Sequence, residues 1–196
     1  MFCRGEKLER IYTFKHVLMR DAAYASLLKS RRAVLHATIA DTLEHKFAQT
    51  AEAEPEILAH HLTEAGQLKR AVGYWLQAGR RAAVRSANVE AIAHLEQGLQ
   101  VASRLREEDG RDRFELDLQF ALAPCLIASQ GPASASAMAT FTRAYQLCQR
   151  LGNVPEYLQV MFWLVTASVI RGELPQALKE IAALTATNGN RALLVW

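Results

Sequence analysis

The feature that most restricts this chain is a recurring trio: a small residue, a large one four positions later, and a small or apolar one three after that. Ala71, Trp75 and Ala78 make the first trio, and Ala91, Leu95 and Gly98 the second. Ala137, Phe141 and Ala144 make the third, and Ala177, Ile181 and Leu184 the fourth. Steps of four and three bring residues to one face of an α-helix. Five positions before each leading alanine stands Gly66, Ser86, Pro132 or Gly172. All four are turn formers, so a helix is expected to start after each. In "WLQAGRRA", Trp75, Ala78, Gly79 and Ala82 share a face whose small side chains let a second helix approach to the ~8–10 Å of a packed pair. No helix buries such a face alone, so several must stack.

The rest of the chain reads as helix too. "KHVLMRDAAYASLL" has near-helical apolar spacing. "KSRRAVLHATIADTLEHKFAQ" places Leu35, Ile39, Leu43 and Phe47 four residues apart with Val34 beside the first, which predicts an amphipathic helix with those residues inward. Pro55 marks a break and suits the first turn of the next helix. Further helices are expected near 56–65, 68–85, 88–106, 112–130, 135–151, 155–171 and 174–187. Between them stand Gly66, "REEDGRD", "SQGPASAS", "LGNVPE" and "RGELP". Only "IYTF", residues 11–14, reads as a short β-like stretch. The expected class is all-α.

The trios resemble the tetratricopeptide repeat, a helix–turn–helix unit that stacks into a right-handed α-solenoid. The leading alanines lie 20, 46 and 40 residues apart, so the likeness is to the helix-pair logic rather than to a fixed period. A wider resemblance runs through "YTFKHVLMRDAAYASLLKSRRAVLHATIADTLE" and "EPEILAHHLTEAGQLKRAVGYWLQAGRRAAVRSANVEAIAHLEQGL". It rests on Phe14, His16, Asp21 to Tyr24, Leu27-Leu28, Arg31-Arg32, Leu35-His36, Ile39-Ala40, His60-His61, Glu64 to Gly66, Ala78-Gly79 and Ala91. These are similar to the junction region of large bacterial signalling ATPases of the AAA-type, STAND class. In that family an ATPase module is followed by a winged-helix-like segment and tetratricopeptide-like repeats. A nucleotide cyclase or a DNA-binding output is often attached.

The resemblance implies a winged-helix-like segment over residues 1–50, the end of an ATPase module, and repeats over 55–196. It implies a non-catalytic regulatory scaffold that binds a protein or peptide on the repeat surface and packs on the ATPase module of its parent. A fragment of a STAND-class transcriptional regulator is the alternative it leaves open. The chain has no G-x-x-x-x-G-K-[ST] phosphate loop and no apolar run ending in paired acids to hold magnesium. No cofactor and no nucleotide turnover are therefore expected. The last residues, "NRALLVW", stop within an apolar run, as a truncated gene would.

Charge and cysteine content narrow the partners. The first 48 residues carry a net +4 and the remainder −1, too weak a basic end to imply nucleic acid. No apolar run reaches the ~18 residues of a membrane helix and no leader opens the chain, so a cytoplasmic protein without a membrane partner is expected. Cys3, Cys125 and Cys148 form no CxxC and read as reduced thiols.

"EPEILAHHLTEAG" is the place to look for chemistry. Glu56 stands four residues before His60 and Glu64 four after it. A zinc helix needs two histidines one turn apart. His60 and the adjacent His61 point about 100° apart on a helix, so a metal-dependent enzyme at these residues ranks below the structural reading. His16 resembles a nucleotide sensor of the family, although a residue capping the turn before a helix accounts for it as well. Ser30 is expected to be the N-cap of the helix that carries Arg31, Arg32 and His36. Trp75 and Trp163 read as core. No catalytic residue and no metal ligand is assigned.

Overall fold

The computed structural model describes residues 16–152, 154–179, 181 and 182. Among them the regular structure is helical, with no strand. Helix α1 is Val17–Ser26, α2 Lys29–Lys46, α3 Ala48–Ala53, α4 Pro55–Glu64, α5 Leu68–Val84 and α6 Asn88–Ala102. A 3₁₀ turn, Glu107–Asp109, leads into α7, Arg111–Gln130. Then come α8, Ala135–Leu151, and α9, Tyr157–Ile170, and the chain is helical again over 174–179. The β-like stretch at 11–14, Cys3, Leu184 and Trp196 lie outside the described residues.

Each helix from α4 onward packs chiefly on its chain neighbours, while α5 also meets α7 and α2 meets α4. One continuous core results, from Ala40 and Leu58 through Leu95 and Leu118 to Phe141 and Met161. Trp75 is buried, and its indole Nε1 donates to Thr63 Oγ1 at 3.1 Å. Trp163 is half-buried, stacked on Phe141 with ring centres 5.6 Å apart and lying 5.1 Å from Phe120. Cys125 and Cys148 are buried free thiols. Burial, with Glu156 nearby, pushes the Cys148 thiol up to about 11, which leaves it protonated and unreactive at neutral pH.

Three of the turns are the same turn. Each has one residue at positive φ: Gly66 at 75°, Ser86 at 58° and Gly172 at 75°. At each, that residue's N–H bonds the carbonyl three back: Gly66 to Thr63, Ser86 to Ala83, Gly172 to Val169. The next N–H reaches five back: Gln67 to Leu62, Ala87 to Ala82, Glu173 to Ser168. This paired pattern is the Schellman cap, which uses up the last orphan carbonyls of a helix and reverses the chain in two residues. The leading alanine of each following trio then makes an early bond of its helix: Ala71 to Gln67, Ala91 to Ala87, Ala177 to Glu173, at 3.0, 2.9 and 3.0 Å. The third trio is entered differently. There Gly131, not Pro132, takes the positive φ, at 88°, and Ser134 caps α8 by accepting from Ala137 N–H at 3.3 Å.

Three expectations at the front of the chain fail. Four of the five residues expected to face inward on α2 face out, Val34 at 65% exposed, Leu35 47%, Ile39 41% and Phe47 48%, while Leu43 is partly buried against the core as expected. α4 packs instead against the side of α2 that carries the small Ala40 and His36, both buried. The single long helix expected there is also broken, because Phe47, at φ −128° and ψ 44°, separates α2 from α3. Ser30 is not a cap. Leu28, with extended backbone, holds that position, and Ser30 is the second residue of α2.

Candidate functional site: a histidine cluster where the first helices meet

The trio residues come first, because they fix how the helices lie. Ala71, Ala78, Ala82, Ala91, Leu95, Ala137, Phe141, Ala144 and Ala177 are buried, as are Gly79 and Gly98. The two glycines are small for a geometric reason. A Cβ on Gly79 would lie 2.4 Å from Leu95 Cγ, and one on Gly98 would lie 2.7 Å from Leu118 Cδ2 and 3.1 Å from Trp75 Cβ. α5, α6 and α7 interlock at these points. Ile181, expected on a packed face, is 43% exposed: it lies at the end of the described residues, where no described helix covers that side. Gly66 and Gly172 are exposed turn residues.

Ion pairs on the rim cross between the same helices. Arg143 of α8 donates to Glu115 of α7, with Nη2 to Oε2 at 2.7 Å. Arg113 of α7 donates to Glu156 just before α9, and this pair holds the Glu156 carboxyl below the usual carboxylate range. Arg70 of α5 pairs with Glu44 of α2, and Tyr74 Oη donates to the same carboxylate at 2.7 Å. Burial and that carboxylate push the Tyr74 phenol up to about 12.

At the junction of α1, α2 and α4 the fold gathers side chains that stand far apart in sequence. His36, buried on α2, bonds two partners at once. Its Nε2 lies 2.9 Å from Tyr24 Oη on α1, and its Nδ1 lies 2.8 Å from His61 Nδ1 on α4. His60 completes the group, its ring centre 5.7 Å from that of His36 and 5.5 Å from that of His61. Arg32 sits 5.0 Å above the Tyr24 ring and donates from Nε to the Leu27 carbonyl at 3.0 Å. Burial lowers the affinity of His36 and His61 for a proton. The neighbouring histidines act in the same direction, while the Glu64 carboxylate works against it at His36.

Sequence reasoning treats His36 and the His60–His61 pair as separate candidates. They are one cluster. The turn that brings α4 back on α2 joins residues 25 apart, and nothing local announces it. Two imidazole nitrogens on one tetrahedral zinc stand roughly 3.3 Å apart, from Zn–N bonds of about 2.0–2.1 Å. The 2.8 Å separation of the two Nδ1 atoms is instead that of a hydrogen bond. Among the described residues no group of three or more His, Cys, Asp or Glu is placed to hold a metal ion. His16 lies apart from this cluster. It is exposed at the N-cap position of α1, where its carbonyl accepts from Met19 N–H at 3.1 Å and its side chain makes no capping bond.

A groove of about 440 Å³ lies between α8, α9 and the helical residues 174–179, lined by Tyr145, Gln146, Gln149, Met161, Gln176 and Lys179 among others. Among the described residues no helix is long and apolar enough to cross a membrane.

No protein-family model matches the chain, and no solved structure matches it. Over 180 residues, 90% of this chain, it is 27% identical to an uncharacterized protein of Rhizobium meliloti (strain 1021). The match takes in 18% of that protein, so the chain spans less than a fifth of the length of the curated relative it matches.

Proposed function

We propose that this chain is a non-catalytic, cytoplasmic scaffold whose helices form a right-handed α-solenoid of tetratricopeptide-like pairs. The pairs are α2 with α4, α5 with α6, α7 with α8, and α9 with the helix that begins at 174. The observation that carries this reading is the repeated frame: the same Schellman turn at Gly66, Ser86 and Gly172, followed each time by an alanine that is buried in the next helix. A turn geometry used three times sets the same step between successive helices, which is how a solenoid propagates.

The surface of such a stack would take a protein or peptide. The groove beside α8 and α9 is where one would lie, between Tyr145, Gln146, Met161 and Gln176, with Gln149 Nε2 donating to Tyr145 Oη at 2.7 Å along its wall. The larger assembly would be a bacterial signalling ATPase of the STAND class, often coupled to cyclic-nucleotide synthesis. Residues 1–50 would be its winged-helix-like junction to the ATPase module. The relative in Rhizobium meliloti supports the modular part of this reading, since the likeness is confined to 18% of a much longer protein. The transcriptional-regulator version shares every feature named here.

Two experiments test the reading. Purified protein should hydrolyse ATP and form cyclic nucleotides no faster than background, and turnover that survives further purification would contradict a non-catalytic scaffold. The gene's flanking DNA should encode a phosphate-loop ATPase in frame or adjacent, and flanks encoding only unrelated proteins would contradict the parent architecture.

A further inference from the structure

We propose that Tyr24, His36 and His61 form a proton-counting latch that holds α1 against α2 and α4, and that a second proton on the histidine pair opens it. The inference does not depend on the signalling reading above.

Little apolar burial among the described residues holds α1. Every one of its described side chains is exposed, including Val17 at 60%, Leu18 at 81% and Met19 at 62%. A helix of 10 residues has no stability of its own in water. Among the described residues of α1 no buried apolar face offsets that cost. Tyr24 joins α1 to α2: its hydroxyl meets His36 Nε2 and its ring lies under Arg32. His36 is in turn fixed by His61.

The His36–His61 contact joins nitrogen to nitrogen, so it needs one hydrogen and one lone pair between the two Nδ1 atoms. With both rings neutral, one ring carries the hydrogen on Nδ1 and the other carries it on Nε2. One added proton leaves the bond intact: an imidazolium still donates from Nδ1 to the lone pair of the neutral ring. With two added protons both Nδ1 atoms carry hydrogen. No acceptor remains, and two cations face each other across 2.8 Å. The Tyr24 hydroxyl can donate to Nε2 or accept from it, so it tolerates the first proton. The second breaks the pair and removes the footing of Tyr24.

The surrounding groups set where this happens. From α4, Glu64 raises the proton affinity of His36 and His60 lowers it. From α2, Arg32 contributes a fixed cation over Tyr24, and from α1 Tyr24 itself faces His36. Burial lowers the proton affinity of both His36 and His61. The sign follows. The closed latch is fully present above the ordinary histidine value of 6.5 and is lost as the pH falls from there through the lowered values.

Hydrogen–deuterium exchange on the full chain reads the latch directly. After correction for intrinsic rates, the amides of 17–26 should lose protection by about tenfold or more between about pH 7.5 and about pH 5, while those of α5 keep theirs. In His61→Gln the amide oxygen still accepts from His36 Nδ1–H and brings no competing proton, so α1 should stay protected at both pH values. In Tyr24→Phe, α1 should be unprotected at both. Unchanged α1 protection in the parent across this range would overturn the proposal, and so would a His61→Gln variant that loses protection as the parent does. Should His61→Gln fail to fold, nitrogen-15 shifts of the parent's rings decide. Opposite tautomers at His36 and His61 near neutral pH are expected, and Nε2–H on both rings would overturn the latch.

Discussion

Helices α5 and α6 are joined by shape, whereas α1 and α2 are joined by a chain of polar rings. At the first seam Gly79 receives Leu95, and Gly98 lies against Trp75 Cβ and Leu118, with every partner buried. At the second, large apolar side chains face outward and the contact runs through Tyr24, His36 and His61. Close packing is indifferent to pH and sensitive to one added methyl group. A hydrogen-bonded histidine pair is the reverse. The two seams of one helical chain therefore respond to different perturbations.

The comparison breaks first under truncation. Leu95 is fully buried, so Leu95→Ala should destabilise the protein by about 2–5 kcal/mol through lost transfer energy and the cavity left behind. Leu18 is 81% exposed, and Leu18→Ala should change stability by no more than about 0.5 kcal/mol. Denaturant titrations of both variants check the pair. Equal losses would mean that α1 is buried in solution and that the two regions are alike.

A smaller effect tests the repeated turn. Ser86 takes φ 58°, a left-handed conformation that Gly66 and Gly172 adopt without a side-chain clash. Ser86→Gly should therefore stabilise the protein by about 0.5–1 kcal/mol, read from the same titrations. A loss of stability would mean that the serine side chain supports the turn and that the three turns are not equivalent.

These features were unequally legible in the amino-acid order. Helix limits from α4 to α8 are announced by Pro55, Gly66, Gly110, Gly131 and Gly152, and the expected and observed bounds there mostly agree to a residue or two. α6 ends at Ala102 rather than 106, because Ser103, Arg104 and Leu105 curl through turn bonds to Leu99, Val101 and Ala102 with no glycine to mark the stop. The break at Phe47 has no local signal either. α2 could have presented either of two faces: the apolar side of Val34, Leu35 and Ile39, or the side of His36, Ala40 and Leu43. Hydropathy favours the first. The second wins because α4 folds back on it, where Ala40 permits close approach and His61 supplies the partner that a buried His36 requires. The histidine cluster was hidden for the same reason, since it is made by a long-range contact rather than by spacing.

The same substitution at two glycines should change stability with opposite signs. Gly73 lies inside α5 on an exposed side, and nothing stands within 4 Å of where its Cβ would be. Gly73→Ala should raise stability by about 0.5–1 kcal/mol, the ordinary gain of alanine over glycine in a helix. Gly98 lies inside α6, and its Cβ would meet Leu118 at 2.7 Å and the Cβ of Trp75 at 3.1 Å. There, overpacking of about 1–3 kcal/mol should outweigh the same gain, so Gly98→Ala should lower stability. Urea titration of the two variants beside the parent, with equal slopes, gives both numbers. A midpoint that rises for Gly73→Ala and falls for Gly98→Ala supports the interlocked seam. A midpoint that rises for both would mean that α6 does not lie against α5 and α7 as closely as described, and the stacked-pair reading would fail with it.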